Sequence, residues 1–308
     1  MRQTIVVLLI ILLAPSVNII AQGCSDAGFC TLGNIKPHGA DSTFLKRQNL
    51  TIILANGIGD ESVYVFTPGI QYDIRLNRQW ALQARLTANY ASGNLGTAFG
   101  LGDGFLSGIY SPKTTSRWLT SFILGGKFPL NLGDIKTGNK PLPMQYQSSL
   151  GTVDIIAGVS ITNHRWLLAT AIQQPLTGTN RNTFLPIYWG TADAAKYSPS
   201  NDFNRKADVL LRVGYDIATT KKWQLNIGLL SIYHLGKDTY IDGNVSNKPI
   251  ALQGSDGLTL NGTFSAWYKP TSTFSLGITG GVPFVIRDIR PDGLTRSFVL
   301  SPELIYHF

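Results

Sequence analysis

Apolar and polar residues alternate strictly along this chain in segments of about 8 to 14 residues, and this pattern limits the possible folds more than any other feature. No sustained 3.6-residue period occurs between residues 49 and 308. Alternation places one set of side chains on each face of a β-strand, so that one face suits lipid and the other suits water. In segment 79–90, one face carries Trp80, Leu82, Ala84, Leu86, Ala88 and Tyr90, and the other carries Gln83, Arg85, Thr87 and Asn89.

Twelve such segments can be delimited, and the connections between them alternate in length. Short turns lie at Asn77, 113–116, 163–164, 219–221 and 270–271, and longer polar loops lie at 91–100, 129–149, 177–204, 236–256 and 285–294. An even number of strands, with short turns at one end and long loops at the other, predicts an all-β fold. This fold is a transmembrane antiparallel up-and-down β-barrel of the bacterial outer-membrane type. The segments are 49–55, 62–76, 79–90, 101–111, 117–128, 150–162, 165–176, 205–218, 222–235, 257–268, 272–284 and 295–308.

The first residues predict export. Arg2, the apolar stretch Ile5–Leu13 and a small-residue boundary near Ala21 are typical of a signal peptide over 1–21. A periplasmic segment over 22–47, followed by the barrel over 48–308, completes the expected organisation. Because an exported chain meets an oxidising compartment, Cys24 and Cys30 are expected to form a disulfide. Lipidation of Cys24 is the alternative, and two free thiols are another.

Composition excludes several classes of protein. Charged residues make up 14% of the chain, against about 25% in ordinary globular proteins, and no run of basic residues exceeds two. These values disfavour disordered and nucleic-acid-coating proteins, so no nucleic acid is expected as a partner. Only the first 20 residues approach the length of a membrane-spanning helix.

Aromatic residues support the barrel independently. Each of Trp80, Trp118, Trp166 and Trp223 follows a predicted short turn, where an aromatic girdle is expected at the membrane interface. The last strand ends on Phe308, which resembles the assembly signal of outer-membrane barrels and implies the barrel-assembly machinery as a partner. Pro68 and Pro302 fall inside predicted strands. Since proline has no N–H to donate, we expect a bulge or an edge-like irregularity at each, and ten or fourteen strands remain alternative counts.

Ionisable groups of both signs lie on the predicted inward faces. Such groups suit a hydrated channel, in which charge and size at the constriction select the solute. The alternative is a set of salt bridges that fills a narrow lumen. The predicted lumen-lining residues are Asp73, Arg75, Arg85, Asp103, Lys127, Asp154, Asp208, Arg212, Asp216 and Glu303.

The sequence carries no recognisable catalytic or metal-binding pattern. Of the four histidines, only His234 is placed for catalysis, and no motif flanks it, so an imidazole that faces the lumen or packs against a loop is the simpler interpretation. No HExxH, Walker-type or calcium-loop motif occurs. We therefore expect no catalytic residues, no metal and no cofactor, and the chain is predicted not to be an enzyme.

Two short segments carry a family resemblance. GLGDGFLSGIY, from Gly100 to Tyr110, and LGTVDIIAGVSIT, from Leu150 to Thr162, resemble strands of outer-membrane β-barrels of the phenol-degradation meta-pathway type. That group comprises small-molecule transporters distantly similar to fatty-acid and hydrocarbon channels. The resemblance implies transport and places Asp103 and Asp154 on the lumen side. The CSDAGFC segment departs from that pattern.

The function expected from these features is a channel or transporter for a small solute, with hydrophobic solutes among the candidates. The alternative is a non-conducting barrel that serves as a partner subunit or anchor in a secretion or assembly complex. Segment 22–47 could act as a periplasmic plug or remain a linker. An aromatic loop could fold inward to recognise solutes or cap the extracellular mouth, and it contains Phe184, Tyr188, Trp189 and Tyr197.

The net charge of +8 arises mainly at the short-turn rim. Seven basic residues and no acidic residue lie there, at the depth expected for phospholipid headgroups. Long basic side chains can meet anionic lipid at this depth, so outer-membrane lipid is an expected partner. The rim residues are Arg78, Lys113, Arg117, Arg165, Lys221, Lys222 and Lys269.

Overall fold

A computed structural model describes residues 47–178, 180–293 and 296–308. The predicted signal peptide, the Cys24–Cys30 pair and most of the N-terminal segment lie outside these residues. In chain order, the strands are β1 (Gln48–Gly59), β2 (Tyr64–Arg75), β3 (Trp80–Gly93), β4 (Gly96–Tyr110), β5 (Leu119–Pro129), β6 (Lys136–Thr137), β7 (Lys140–Pro141), β8 (Val153–Thr162), β9 (Trp166–Thr177), β10 (Asp208–Thr219), β11 (Trp223–His234), β12 (Thr239–Asp242), β13 (Ser246–Ala251), β14 (Gly257–Tyr268), β15 (Phe274–Val285) and β16 (Arg296–His307).

Twelve of these strands form a closed barrel, in the order β1-β16-β15-β14-β11-β10-β9-β8-β5-β4-β3-β2. Every neighbour in this order pairs antiparallel, and β1 closes the barrel against β16. The remaining strands form two small hairpins, β6-β7 and β12-β13, in the long loops. The predicted all-β transmembrane barrel of twelve strands is confirmed.

Pro68 and Pro302 each coincide with an irregularity in strand pairing, as expected, but neither forms a bulge. Pro68 pairs with Leu54 of β1, and Pro302 pairs with Ile278 of β15. On its other side each proline interrupts the pairing for two residues, after which the register resumes unchanged. The missing N–H of proline therefore costs local pairs without adding a residue to the strand. The β3-β4 register shifts instead between Leu86 and Ala88.

The outer face of the barrel is apolar. Large aliphatic and aromatic side chains are exposed there on successive strands, including Ile70, Leu86, Leu124, Ile227 and Leu304. A band of this size would not be stable in water, whereas a closed barrel satisfies its backbone hydrogen bonds within a bilayer. The chain is thus an integral protein of the bacterial outer membrane, and by the convention of such barrels its long loops are extracellular.

Helices contribute little to the described chain. One α-helix, α1 (Pro186–Trp189), and three short 3-10 helices, Asp60–Ser62, Met144–Tyr146 and Ala194–Lys196, lie in the extracellular loops. Among the described residues, none of the helices is long and apolar enough to cross a membrane.

The four predicted girdle tryptophans lie at the short-turn end with their rings exposed on the outer face. Three of them contact a tyrosine of a neighbouring strand. The ring centroids are 4.7 Å apart for Trp80 and Tyr110, 4.8 Å for Trp166 and Tyr215, and 4.4 Å for Trp223 and Tyr268. Trp118 is likewise exposed and lies immediately before β5.

Candidate functional site

The interior of the barrel mixes apolar and polar side chains. Inward-facing residues of β4, β5 and β8–β11 form one buried apolar cluster, made of Phe105, Ile109, Ile123, Ile156, Leu167, Ala169, Ala171, Leu210 and Leu230. The same strands also carry buried polar and charged residues, among them Ser107, Ser121, Lys127, Asp154, Ser160, Gln173, Asp208, Arg212, Asp216, Gln224 and Asn226. Buried polar residues of β14–β16 and β1–β3 include Asn49, Thr51, Thr67, Gln71, Gln83, Asn261, Ser265, Ser275, Ser301 and Glu303. The inner face is therefore polar or charged at every strand, with one apolar cluster among these groups.

The ten residues expected to line the lumen lie in barrel strands with the alternation of an inward face. Asp73, Arg75 and Asp103 are partly buried, and Arg85, Lys127, Asp154, Asp208, Arg212, Asp216 and Glu303 are buried. Asp103 lies at the β3-β4 irregularity, where its Oδ1 accepts a 2.5 Å hydrogen bond from Ser149 of the loop after β5. The structure thus brings inward-facing charges into contact with loop residues as well as with each other.

Lys127 and Asp154 face each other directly across the β5-β8 pair. The Lys127 Nζ lies 3.0 Å from Asp154 Oδ2, and both side chains are almost fully buried. Lys127 also donates to Thr152 Oγ1 at 2.9 Å, and Gln173 Nε2 donates to Asp154. A buried ion pair with these extra hydrogen bonds fills part of the lumen with polar protein atoms.

Two further carboxylates are held by side-chain amides near the periplasmic end. Asp216 Oδ1 accepts from Asn226 Nδ2 at 2.8 Å, and Asp216 Oδ2 accepts from Gln224 Nε2 at 3.1 Å. Asp73 accepts from both Gln71 and Gln83. Amide donors fix the orientation of these carboxylates inside the barrel.

Sequence reasoning missed one large inward-facing residue. Trp267 of β14 is only 3% exposed and lies directly opposite Gly277 of β15. A Cβ atom at position 277 would lie 1.9 Å from Cζ3 of Trp267, so the indole occupies the space that any side chain there would need. The other tryptophans in barrel strands are exposed on the outer face. The one sequence signal that separates Trp267 from them is that position 267 falls on the inward-facing side of the alternation in β14.

Four long extracellular loops fold over the barrel and pack together. We call their described residues, 130–152, 180–207, 235–256 and 286–293, the lid. Asn182 is a hub of this lid: its Nδ2 donates to the carbonyls of Gly133 and Leu142, and its Oδ1 accepts from the Phe184 N–H and the Ser200 hydroxyl. These bonds tie the first two loops together.

Apolar side chains complete the contact between the lid and the barrel. Phe184 and Tyr197 of the aromatic loop are buried in a cluster with Val65 and Ala91, which belong to barrel strands. Tyr146 Oη accepts from the Leu95 N–H at 3.0 Å and lies 3.3 Å from Tyr197 Oη. Phe184 and Tyr197 of the aromatic loop thus pack against the inner face of β2 and β3, whereas Tyr188 is exposed.

Six buried charged residues connect the lid to the ends of β10 and β11. We call Arg205, Asp208, His234, Asp238, Arg287 and Asp292 the charge cluster. His234 lies between two carboxylates, with Nδ1 2.6 Å from Asp208 Oδ1 and Nε2 2.8 Å from Asp238 Oδ1. Arg205 donates to Asp208, and its Nε lies 3.3 Å from Asp292 Oδ2. These contacts join three loops to two barrel strands.

Arginine residues hold the last carboxylate of the cluster in its charged form. Burial alone would disfavour a charged Asp292, but Arg287 and Arg205 outweigh it and hold the pKa of Asp292 below its ordinary value. Arg287 Nη2 lies 2.9 Å from Asp292 Oδ2, and its Nη1 donates to the Ser255 carbonyl at 2.6 Å. The loop over 286–293 is thereby fixed to the loop over 235–256.

A second ion pair lies at the edge of the lid. Arg290 Nη2 donates to Asp60 Oδ1 at 2.5 Å, joining the lid to the turn between β1 and β2. Burial raises the pKa of Asp60 to about 6, although the neighbouring Arg290 opposes this shift. Unlike the charge cluster, this pair retains some solvent exposure.

Of the other histidines, His164 and His307 lie within the described residues and do not form a catalytic group with His234. His307 lies at the opposite end, where Nε2 is 2.7 Å from Ser275 Oγ and Nδ1 is 2.5 Å from Asn49 Oδ1. His164 is exposed in a short turn. His234 itself is 1% exposed, and within the described ranges no group of three His, Cys, Asp or Glu side chains is arranged to hold a metal ion.

Most of the charge cluster could not be found from the sequence. Arg205, Asp208 and His234 belong to predicted strand segments, although the strand itself begins only at Asp208, whereas Asp238, Arg287 and Asp292 lie in loops that follow no period. Their partners are up to 87 residues apart along the chain, as for Arg205 and Asp292. No local spacing indicates such contacts.

Comparison with known proteins gives similarity at the level of fold. No family model and no curated protein sequence matches the chain. The COG4313 outer membrane channel from Pseudomonas putida F1 aligns with a TM-score of 0.59 and 13% identity over 88% of this chain and 98% of that one. The NanC porin aligns with a TM-score of 0.44 and 11% identity, over 84% of this chain and 98% of that one. The KdgM porin in complex with disordered oligogalacturonate aligns with a TM-score of 0.43 and 8% identity, over 84% of this chain and 99% of that one.

Proposed function

We propose that this chain is an outer-membrane channel or transporter for a small solute, closed in this structure by its extracellular lid. The observation that carries the proposal is the lumen beneath the lid, where an apolar cluster lies among polar and charged side chains. A barrel that served only as an anchor would need no inward carboxylates oriented by amides, such as Asp73 and Asp216. The fold similarity to a protein described as a channel is consistent with this role.

The mixture of apolar and polar side chains in the lumen suggests the kind of solute. A molecule with an apolar part could contact Phe105, Ile123 and Leu230 while its polar groups contact the polar side chains of the lumen. Charged groups of both signs in the lumen would disfavour purely apolar solutes and highly charged ones alike. A small amphipathic molecule is therefore the favoured substrate class.

Two partners are part of the proposal. The basic rim, including Arg165, Lys221 and Lys222, is exposed at the short-turn end next to the stacked aromatic pairs, where it would contact anionic lipid headgroups. Phe308 is exposed, and its ring lies 4.8 Å from that of Tyr306 on the outer face. This C-terminal aromatic pair would be recognised by the barrel-assembly machinery.

The non-conducting barrel remains the second candidate, and one observation favours it. Lys127 and Asp154 form a closed pair inside the barrel, as expected if paired charges fill the lumen. An enzyme is a weaker candidate, because His234 is shielded from any substrate by the lid.

Single-channel recording in planar bilayers distinguishes these functions. We would compare the intact protein with a variant in which residues 186–196, which include α1, are replaced by a short Gly-Ser linker. The matched control replaces the exposed hairpin tip at 243–245, which lies outside the apolar contacts of the lid. The channel account predicts larger conductance or longer openings in the first variant alone. Absence of current in all three folded proteins would favour the non-conducting barrel.

A further inference from the structure

Both ring nitrogens of His234 contact carboxylate oxygens, and this geometry determines its protonation state. Carboxylates accept hydrogen bonds, and a neutral imidazole has only one N–H to give. Asp208 is ionised because its other carboxylate oxygen forms an ion pair with Arg205. Asp238 Oδ1 already accepts the Lys206 N–H at 2.9 Å, so the proton in its contact with Nε2 belongs to the imidazole. His234 is therefore an imidazolium in the closed structure.

With His234 protonated, the charges of the cluster balance. Arg205, Arg287 and His234 are the cations, and Asp208, Asp238 and Asp292 are the anions. These are the charged groups that face His234 from β10 and from the three loops packed against it. Loss of the imidazolium proton would leave one uncompensated negative charge and one broken hydrogen bond in a site with almost no solvent access.

The cluster is also the main polar connection between the lid and the barrel wall at this point. Asp208 begins β10 and His234 ends β11, whereas Asp238 and Asp292 belong to two lid loops. Asp238 is fixed further, since its N–H donates to Ser255 Oγ at 2.8 Å and its carbonyl accepts from Leu252. Any weakening at His234 is transmitted directly to those loops.

We propose that His234 is a proton-binding site that locks the extracellular lid closed, and that its deprotonation releases the lid. This proposal rests on the proposed channel function. The cluster exchanges a proton, so no oxidant, metal or second ligand is required. The lid would be closed at mildly acidic pH and would open as the solution becomes alkaline.

Conductance measured against pH tests this lock. The open probability of the intact protein is expected to rise about tenfold or more between about pH 5 and about pH 9, because deprotonation of His234 breaks one buried hydrogen bond to a carboxylate. His234→Gln has one amide donor group and no charge, so it should be open across the range and lose the pH dependence. His307→Gln is the matched control, because His307 is equally buried but contacts the neutral partners Ser275 and Asn49.

A second substitution separates charge balance from packing. In His234→Gln, changing Asp238→Asn leaves two cations and two carboxylates in the cluster, and the lid should close again. If the histidine merely fills space, this second change would restore nothing. Pore openings that are independent of pH, or a His307→Gln variant that behaves like His234→Gln, would overturn the lock while leaving the channel function intact.

Limited proteolysis makes the test independent of current. At a single mildly acidic pH, the lid loops of refolded His234→Gln are expected to be cut faster than those of the intact protein and of His307→Gln. The double variant should return to the rate of the intact protein. Equal rates in all four folded barrels would overturn the lock, whereas absence of current at every pH in these variants and in the lid-shortened protein would overturn the channel function.

Discussion

Lys127 Nζ lies 3.0 Å from Asp154 Oδ2 across two neighbouring strands, and both side chains are buried inside the barrel. Lys127→Met would leave the Asp154 carboxylate without its cation in a poorly solvated site. We expect a loss of about 3–5 kcal/mol in the free energy of unfolding, measured by denaturant titration of the refolded protein.

The matched control for this change removes both charges. Lys127→Met together with Asp154→Leu should recover most of the loss, because no unpaired charge remains. A double variant as unstable as the single one would show that packing, and not the ion pair, determines stability at this place.

Trp267 and Gly277 make a second prediction about the interior. Gly277→Val places a side chain where the indole lies, since even a Cβ would be 1.9 Å from Trp267 Cζ3. We expect a loss of about 1–3 kcal/mol from overpacking, seen as a lower denaturation midpoint. Gly108→Ala on β4 is the control, because its Cβ would meet only ordinary contacts at 3.8 Å and beyond. Equal effects at the two glycines would contradict the proposed position of the indole.

The sequence predicts the barrel well because alternation is a local property. Each of the twelve barrel strands overlaps an alternating segment, and the inward parity of Lys127 and Asp154 follows directly from them. The predicted loop 91–100 is wrong, because β3 and β4 continue through it and are joined by a turn at residues 94–95. The lid is different, since Asn182 and Arg205 reach partners in other loops through contacts that follow no period. Pro68 shows a third situation, in which the sequence predicts an irregularity but not its form, which is the loss of two pairs and not a bulge.

The raised pKa of Asp60 predicts how the free energy of unfolding depends on pH. Its folded-state pKa is raised from 3.8 to about 6, so the folded protein binds more protons than the unfolded chain within this window. The protonated Asp60 therefore contributes up to about 3 kcal/mol to the free energy of unfolding at low pH, and this contribution is lost as the pH rises from about 4 to about 6.

The variant Asp60→Asn isolates this contribution. The unfolding free energy of the intact protein minus that of Asp60→Asn should fall as the pH rises through the same window. Glu61→Gln, at the neighbouring exposed position, serves as the control. A difference for Asp60→Asn that is flat with pH would contradict the raised pKa.

The basic rim predicts a dependence on lipid charge. Lys221→Gln with Lys222→Gln removes two exposed cations from one periplasmic turn. Each lysine near an anionic lipid surface contributes about 1 kcal/mol to binding, so we expect the refolded barrel to bind anionic lipid about tenfold or more weakly. Binding is measured in mixed detergent micelles, with zwitterionic lipid as the reference. The control, Lys136→Gln with Lys248→Gln, removes two exposed lysines from the extracellular loops. If both double variants weakened the preference equally, the rim would have no specific role.

The most direct test of the account asks whether solute passes through the lumen. Ser265 of β14 faces inward and is buried, whereas its neighbour Ala266 lies on the opposite face of the strand. Cysteine is introduced at each position in turn, and a charged thiol reagent is added during single-channel recording, with the unsubstituted protein as the baseline. The account predicts that the reagent reduces the current through Ser265→Cys and leaves Ala266→Cys unchanged. Equal responses at the two positions, or no response at Ser265→Cys while current flows, would contradict it.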